Sequence, residues 1–266
     1  MYDSFHRPIN YLRVSVTDRC NLRCVYCMPE EGVPYIPHSR VLSLEEIAEA
    51  VRVAVDLGVH KVRLTGGEPL VRKGIVELVK MLSAIDGIKD LAMTTNGVLL
   101  TRYAEKLKRA GLDRVNISLD TMDPEEYRRI TRRGDLNEVL EGIKAARRAG
   151  LFPIKLNAVI PPNGDRSQAL QVAEFAKENG FQARFIQQMN LQAGEFSIVE
   201  GGEGGNCARC NRLRLSSEGV VYPCLFSDNG YSIRRFGPRE AFLKAVKHKP
   251  AQGLISNNNT FYKLGG

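Results

Sequence analysis

The feature that most constrains the fold of this chain is a regular alternation of strand-like and helix-like segments over its first 190 residues. The strand-like segments alternate polar and apolar residues or hold short β-branched runs, whereas the helix-like segments repeat apolar residues every three or four positions. The predicted strands are 11–16, 61–64, 90–95, 114–119, 154–160 and 182–187. The predicted helices are 44–57, 73–83, 102–110, 124–130, 137–149 and 167–179. Ser43, with Glu46 at the third following position, is the predicted N-cap of the first helix.

This alternation predicts an α/β fold in which parallel strands are joined by right-handed crossovers. The pattern is compatible with an open sheet and with a sheet that is partly closed like a barrel. In both arrangements ligands bind beyond the carboxyl ends of the strands. We therefore expect the segments 18–28, 65–69, 94–97 and 118–121 to share one rim.

The rhythm stops near Asn190, and a glycine-rich stretch over 194–205 follows. The tail after it has cysteines of its own and no strand-helix repeat. We therefore predict two regions, 1–190 and 191–266, joined by a flexible glycine bridge.

Composition is that of a globular protein, with 43% hydrophobic and 26% charged residues. Glu or Arg interrupts every long apolar run, and the first residues lack the layout of a secretion signal, so we expect a cytosolic protein that does not enter a membrane. The net charge of +8 suits an anionic ligand. A nucleic-acid partner is not expected, because no nucleic-acid motif is present and aromatic residues are only 7%.

All six cysteines fall into two trios, Cys20-x3-Cys24-x2-Cys27 and Cys207-x2-Cys210-x13-Cys224. A disulfide scaffold suits neither a chain of this size nor trios of odd number. Structural zinc normally takes four ligands, and neither trio has a fourth cysteine or a nearby histidine. A four-iron cluster on three thiolates leaves one iron open to bind a small molecule, so iron-sulfur clusters explain both trios best.

At this point the sequence resembles a known superfamily. The C-x3-C-x2-C spacing of 20–27, with Tyr26 before the third cysteine, is the signature of radical S-adenosylmethionine enzymes. Gly66-Gly67-Glu68-Pro69 follows a predicted strand and is similar to the GGEP motif of that superfamily, which receives the methionyl amino group.

Within that superfamily the chain resembles the GTP 3′,8-cyclase family, which catalyses the first step of molybdenum cofactor biosynthesis, and the resemblance covers nearly the whole chain. The segments that carry it are 12–20, 94–97, 116–120, 184–186, 207–215 and 223–226, together with the terminal Gly265-Gly266. It implies a partial (β/α)6 TIM-like barrel of parallel strands with a short C-terminal extension that holds a second cluster.

The resemblance also implies the chemistry and two 4Fe-4S clusters. In the family the first cluster binds S-adenosylmethionine and reduces it to methionine and a 5′-deoxyadenosyl radical, which takes a ribose hydrogen from GTP. The ribose radical then attacks carbon 8 of the guanine and gives 3′,8-cyclo-GTP, while the second cluster holds the guanine edge. An external one-electron donor and a downstream cyclic pyranopterin monophosphate synthase are the implied partners.

The residues that the resemblance assigns fall into four sets. The radical chemistry is assigned to Cys20, Cys24 and Cys27, with Arg13, Gly265 and Gly266 completing the catalytic set. Contacts to S-adenosylmethionine are assigned to Tyr26, Gly67, Glu68, Thr94, Ser118 and Met189. The GTP site is assigned to Arg13, Lys61, Arg63, Lys155, Arg184, Arg212 and Arg214, and the second cluster to Cys207, Cys210 and Cys224. Arginine forks match phosphate oxygens, so a triphosphate is a suitable ligand for these cations.

The chain departs from the family between Met189 and Cys207, where the family usually carries several dozen more residues. We therefore expect a trimmed form of the enzyme. Three alternatives remain: a radical cyclase for another nucleotide, a radical enzyme that modifies peptides, and a non-enzymatic metal or nucleic-acid binding module. Arg212 and Arg214 beside the second trio favour GTP, and the GGEP loop disfavours the non-enzyme.

Overall fold

The structure is a computed structural model and describes residues 1–265. Six parallel strands alternate with helices, as predicted, and the predicted bounds are wrong by no more than two residues. The strands are β1 (Tyr11–Ser15), β2 (Lys61–Thr65), β3 (Asp90–Thr95), β4 (Arg114–Ser118), β5 (Lys155–Ile160) and β6 (Gln182–Gln187).

Six helices cover the outer face of these strands. They are α1 (Leu44–Asp56), α2 (Ile75–Ser83), α3 (Leu100–Arg109), α4 (Pro124–Thr131), α5 (Leu136–Arg148) and α6 (Ser167–Glu178). The predicted start of α1 is confirmed, because Ser43 Oγ accepts from the Glu46 amide at 3.1 Å and the Glu46 carboxylate accepts from the Ser43 amide at 2.8 Å. This capping box satisfies two amides that a helix end otherwise leaves unpaired.

The C-terminal region extends the same sheet. Strand β7 (Arg212–Leu215) pairs in parallel with β1, and the antiparallel strands β8 (Val220–Tyr222) and β9 (Tyr231–Ser232) follow it. Helices α7 (Ile233–Phe236), α8 (Pro238–Lys247) and α9 (Phe261–Leu264) complete the chain. Both predicted regions, 1–190 and 191–266, contribute strands to this one sheet. The division at residue 190 therefore stays a prediction.

The sheet runs in the order β6-β5-β4-β3-β2-β1-β7-β8-β9. Within residues 1–265 its end strands, β6 and β9, do not pair with each other, so the strands form a partial barrel. The predicted fold class is therefore confirmed.

The two faces of the strands differ in polarity because side chains alternate along a strand. The outer face packs its apolar residues against the helices: Leu12, Val14, Val62, Leu64, Leu91, Met93, Val115, Ile117 and Leu156. Burying each of them stabilises the fold by roughly 1.5–3 kcal/mol. The inner face is largely polar and lines a cavity with Tyr11, Arg13, Lys61, Arg63, Asp90, Thr94, Arg114, Asn116, Lys155, Asn157 and Arg184.

The glycine-rich stretch differs from the predicted flexible bridge, because it folds back along the edge of β6. Phe185 and Glu200 exchange two backbone hydrogen bonds of 3.1 Å, and the amide of Val199 donates to the carbonyl of Gly204 at 2.9 Å. Gly201 has φ +72°, and a Cβ there would lie 2.7 Å from the carbonyl oxygen of Ala183. Glycine at this position therefore allows the backbone to approach β6 closely, in addition to giving the chain conformational freedom.

Candidate active site

The barrel encloses a cavity of about 560 Å³ between the inner faces of the strands and the second cysteine trio. All seven cations of the predicted GTP site line it: Arg13, Lys61, Arg63, Lys155, Arg184, Arg212 and Arg214. They come from β1, β2, β5, β6 and β7, so residues far apart in the chain converge because parallel strands present them to one interior. Arg212 and Arg214 both face the cavity, as their spacing on one strand requires.

Basic side chains crowd together in this cavity. Burial, the Arg184 charge and the Arg114 charge lower the pKa of Lys155 from 10.5 to about 8. Burial and neighbouring arginines lower the pKa of Arg13 well below its usual range, and burial and Arg212 lower that of Arg214 to about 10. Like charges held together in this way favour an anionic ligand.

Several polar atoms that line the cavity have no protein partner. Within residues 1–265, no protein atom hydrogen-bonds to these buried groups: Tyr11 Oη, Arg63 Nε, Thr94 Oγ1, Asn157 Oδ1, Arg184 Nε and Arg212 Nε. Buried polar groups are normally satisfied, so this clustering indicates a polar ligand that completes them.

The side chains of the cavity that sequence reasoning missed include Tyr11, Asp90, Arg114 and Lys249. Arg114 donates to both carboxylate oxygens of Asp90 at 2.8 and 2.6 Å and to Asn116 Oδ1 at 3.1 Å. Strand position could have identified three of these residues. Tyr11, Asp90 and Arg114 each begin a strand, as Lys61 and Lys155 do.

The first cysteine trio lies in the loop that follows β1. The amides of Cys27 and Met28 donate to the carbonyl of Cys24 at 2.9 and 3.1 Å, and the amide of Leu22 donates to Cys20 Sγ at 3.4 Å. Burial raises the pKa of the Cys20 thiol to about 11 and that of Cys27 to about 12, and it raises that of Cys24 further. A bound metal centre reverses this preference by stabilising the thiolates.

Within residues 1–265, no three His, Cys, Asp or Glu side chains converge as a single metal ion requires. A cubane cluster places its thiolates on different irons and so holds them farther apart than one tetrahedral ion does. The hydrogen bond from the Cys27 amide to the Cys24 carbonyl nevertheless holds these two cysteines in one turn, and Cys20 precedes that turn in the same loop. This donor set fits a cluster better than zinc.

The GGEP loop packs against the cysteine loop. The amides of Gly67 and Glu68 donate to the carbonyls of Thr17 and Arg19, both at 2.8 Å. A Cβ at Gly67 would overlap the carbonyl oxygen of Arg19, so only glycine allows this approach.

Glu68 is 1% exposed, and its carboxylate accepts from the amides of Leu70 and Asn96 at 2.9 and 2.7 Å and from Thr95 Oγ1 at 2.8 Å. Burial outweighs these bonds and raises the pKa of Glu68 to about 7. The predicted common rim is therefore present, because Glu68 joins the loops after β2 and β3.

The other residues assigned to S-adenosylmethionine lie around this rim. Tyr26 donates to Asp120 Oδ2 at 2.7 Å and lines a second cavity of about 790 Å³ with Cys27. Met189 lines both cavities, Thr94 lines the first, and Ser118 ends β4 half-buried.

The second trio borders the first cavity. Cys207 lies in a short 3-10 turn, where the Cys210 amide donates to its carbonyl at 3.2 Å, and Cys224 follows β8. Burial acts to raise the pKa of the Cys210 thiol, but the Lys249 and Arg212 charges outweigh it and the pKa is lowered. Burial raises the pKa of Cys224.

The C-terminal tail enters the barrel beside Thr65. The guanidinium of Arg214 donates to the carbonyl of Leu264 at 3.2 Å and to the carbonyl of Gly265. Gly265 is buried with φ +67°, and a Cβ there would overlap the Thr65 side chain. Gly266, the other predicted tail residue, lies outside the described residues.

Comparison with known proteins identifies the family of this chain. Residues 14–176 match the radical SAM superfamily. The chain is 42% identical over 311 positions to the GTP 3′,8-cyclase of Moorella thermoacetica, covering 97% of this chain and 96% of that protein. It is 41% identical over 308 positions to that of Thermodesulfovibrio yellowstonii, covering 96% and 95%. The Moorella alignment exceeds the 266 residues of this chain by 45 positions, which confirms the trimmed length.

Solved structures share the fold at low identity. Streptococcus suis SuiB bound to its precursor peptide SuiA superposes with a TM-score of 0.68 at 17% identity, covering 92% of this chain and 66% of that one. Among residues 1–265, no helix has the length and apolar character needed to cross a membrane. By its cysteine loop, its cation-lined barrel and these relatives, the chain belongs to the GTP 3′,8-cyclase family of radical S-adenosylmethionine enzymes.

Proposed function

We propose that this chain converts GTP to 3′,8-cyclo-7,8-dihydro-GTP, the first step of molybdenum cofactor biosynthesis, with its residues in the roles below. The observation that carries the proposal is the barrel interior, where seven basic side chains converge on one cavity that the second cysteine trio borders. A nucleoside triphosphate is the anionic ligand of the family. The crowded positive charge suits it, as do the Nε atoms of Arg63, Arg184 and Arg212, which lack a hydrogen-bond partner within residues 1–265.

The seven cations bind the triphosphate: Arg13, Lys61, Arg63, Lys155, Arg184, Arg212 and Arg214. Cys207, Cys210 and Cys224 would hold a second 4Fe-4S cluster, and with three thiolate ligands that cluster would have a coordination position left for the guanine. In this arrangement the phosphates would lie against the inner faces of β1, β2, β5, β6 and β7, and the base would lie toward the second trio.

Cys20, Cys24 and Cys27 hold the first 4Fe-4S cluster, and S-adenosylmethionine lies on it. Tyr26, Gly67, Glu68, Thr94, Ser118 and Met189 surround that cofactor, with Glu68 accepting from its amino group. When bound, the cluster and S-adenosylmethionine supply the 5′-deoxyadenosyl radical that removes a ribose hydrogen. The tail residues Gly265 and Gly266 complete the site beside Arg214.

The short segment that replaces the longer region of the relatives forms a wall of this cavity. Residues 201–206 line it together with Phe196, Ser197 and Val199. The trimmed segment therefore suffices to close the substrate side of the barrel, and we propose that the reaction is retained.

The reaction needs an external one-electron donor, and its product passes to a cyclic pyranopterin monophosphate synthase. We place it in the cytoplasm, because a reducing compartment keeps the six cysteines available as cluster ligands and prevents their pairing as disulfides. In this proposal residues 1–190 form the radical barrel and residues 191–266 carry the second cluster and the tail.

Anaerobic turnover of the reconstituted chain with S-adenosylmethionine, dithionite and GTP tests the proposal, with 5′-deoxyadenosine and 3′,8-cyclo-GTP followed by mass spectrometry. Both products in equal amounts are expected. Deoxyadenosine without the cyclised nucleotide would move the radical chemistry to another substrate, and neither product from a fully loaded protein would overturn the function.

A further inference from the structure

Lys249 is a buried cation beside the second cysteine trio. It follows α8 and is 3% exposed. Its ammonium donates to the carbonyl of Arg212 at 2.7 Å and to the carbonyl of Pro223 at 2.6 Å. Arg212 lies two residues after Cys210, and Pro223 immediately precedes Cys224, so this one side chain ties together both segments that carry these cysteines.

No carboxylate within residues 1–265 forms an ion pair with this ammonium. A buried charge without a counterion is costly, so a group of opposite charge is expected next to it. Lys249 lines the cavity together with Cys207, Cys210 and Cys224, so thiolates of the trio can supply this opposite charge.

The hydrogen-bond geometry completes this assignment. An ammonium has three donors, and two of them go to the carbonyls of Arg212 and Pro223. The third N–H is then left for an acceptor in the cavity that Lys249 lines together with the three cysteines of the trio. One donor is therefore available to a sulfur of the trio.

Arg7 binds the same region as Lys249 but differs from it in having a carboxylate partner. Its guanidinium also holds this region, donating to the carbonyls of Cys207, Pro250 and Ala251 at 2.7, 2.6 and 2.9 Å. The charge of Arg7 is compensated by Asp3 at 2.6 Å. Arg7 therefore clamps the backbone as a neutral pair, whereas the charge of Lys249 is left for the sulfurs.

We propose that Lys249 is a positioning residue of the second cluster, fixing the segments of Cys210 and Cys224 and donating its remaining hydrogen bond to a sulfur of the trio, and that its charge sets the reduction potential of that cluster. This inference rests on the proposed function in requiring a cluster at the second trio. An oxidised cubane with three thiolates carries a single net negative charge, which Lys249 neutralises. Because reduction adds a further negative charge, a buried cation and a hydrogen bond to sulfur both raise the potential.

The test uses the full chain in a Cys20→Ala, Cys24→Ala, Cys27→Ala background, so that only the second cluster is present. Lys249→Met, Lys249→Gln and Lys249→Arg are compared with Lys247→Met, which removes an exposed lysine close by. Iron content and the midpoint potential from an electron paramagnetic resonance titration are the two readouts.

We expect the methionine and glutamine variants to shift the potential to more negative values or to lose iron, and the arginine and Lys247 variants to remain close to the parent. An unchanged potential with full iron content in Lys249→Met and Lys249→Gln would overturn the proposal. So would iron loss or a potential shift that Lys249→Arg fails to reverse, because the role would then be packing. Failure of the parent chain to bind any cluster at the second trio would instead contradict the proposed function.

Discussion

At the scale of single residues, burial and charge crowding set the chemistry of this barrel. The inner face brings arginines and lysines together although like charges repel. Burial and this repulsion lower their pKa values. Glu68 shows the opposite case, a carboxylate whose burial favours the neutral form near neutrality. Both effects make ligand binding depend on pH in ways that can be measured.

Lys155 predicts a pH dependence of GTP binding. Its pKa is lowered to about 8, so its charge is present below that pH and is lost as the pH rises through it. We expect GTP affinity to fall between about pH 7 and about pH 9, on the order of tenfold from the loss of one charged contact. Lys155→Arg keeps its charge over this range.

Equilibrium dialysis of GTP against the reconstituted proteins measures this dependence. The difference between the parent and Lys155→Arg isolates the lysine, since titration of GTP itself is common to both. Parallel pH curves for the two proteins would show that Lys155 does not contact the triphosphate.

Glu68 predicts the opposite pH dependence for S-adenosylmethionine. Burial raises its pKa to about 7, so the carboxylate gains its charge as the pH rises from about 6 to about 7.5, where the cofactor amino group is still protonated. We expect binding of S-adenosylmethionine to strengthen over that range. In Glu68→Gln it should be weaker by at least about tenfold and independent of pH.

Glu77→Gln is the matched control, because Glu77 is exposed on α2. Calorimetric titration with S-adenosylmethionine gives both affinities. A Glu68→Gln variant with the pH curve of the parent would remove Glu68 from the cofactor site.

At the scale of elements, each strand directs alternate side chains to the hydrophobic core and to the ligand cavity. Strand β1 sends Leu12 and Val14 to the helices and Tyr11 and Arg13 to the cavity. The helices have a second task, because they fix the loops that carry the motifs. Gly142 of α5 lies against the loop after β3, in which Asn96 donates its amide hydrogen to Glu68.

Gly142→Ala should destabilise the protein even though alanine is the better helix former. A Cβ at this position would overlap the carbonyl oxygen of Gly97 and lie 3.2 Å from the Leu100 Cβ. Overpacking of this kind costs roughly 1–3 kcal/mol, more than the gain of about 0.5–1 kcal/mol in helix propensity. Urea unfolding of the cluster-free chain measures the free energy of unfolding, and exposed Arg148→Ala on the same helix is the control. An increase in stability would mean that α5 can move away from the loop.

At the scale of the whole molecule, the end of the chain returns to its beginning. Strand β7 pairs with β1, and the tail after α9 inserts beside β2, where Arg214 binds its carbonyls. The substrate cavity, the second trio and the tail are therefore one unit, although β1 and β2 come from the N-terminal part of the sequence and the trio and the tail come from the C-terminal part.

Gly265→Ala should uncouple the tail from this unit. The side chain would overlap Thr65 and would occupy a φ of +67° that alanine disfavours. We expect cyclisation of GTP to fall by at least about tenfold, as when positioning in a site is lost, with iron content retained. Gly180→Ala carries the same backbone strain, at φ +72°, in a position where nothing lies within 4 Å of the new Cβ.

Turnover and iron analysis of both variants separate strain from fit. Full activity of Gly265→Ala would show that the reaction does not need the seated tail. Loss of activity in Gly180→Ala as well would assign the effect to general destabilisation.

The sequence by itself determined the order of the elements and the motif loops, because these depend on local periodicity, caps and cysteine spacing. Periodicity left open whether the sheet closes, and only resemblance to the family implied the partial barrel. The Ser43 capping box and the bounds of β3 and β6 could be predicted for that reason. The seven cations could be assigned only through resemblance to the family, and their convergence required parallel strands in register.

Only the tertiary structure decided which residues complete the site. Arg114 with Asp90, the unpaired Tyr11 hydroxyl and the buried Lys249 are ordinary polar residues in the sequence. The glycine stretch predicted a loose bridge, but contacts with β6 fold it into a cavity wall. The physical reason is that burial, like-charge crowding and close approach of backbones depend on residues distant in the chain, which no local pattern records.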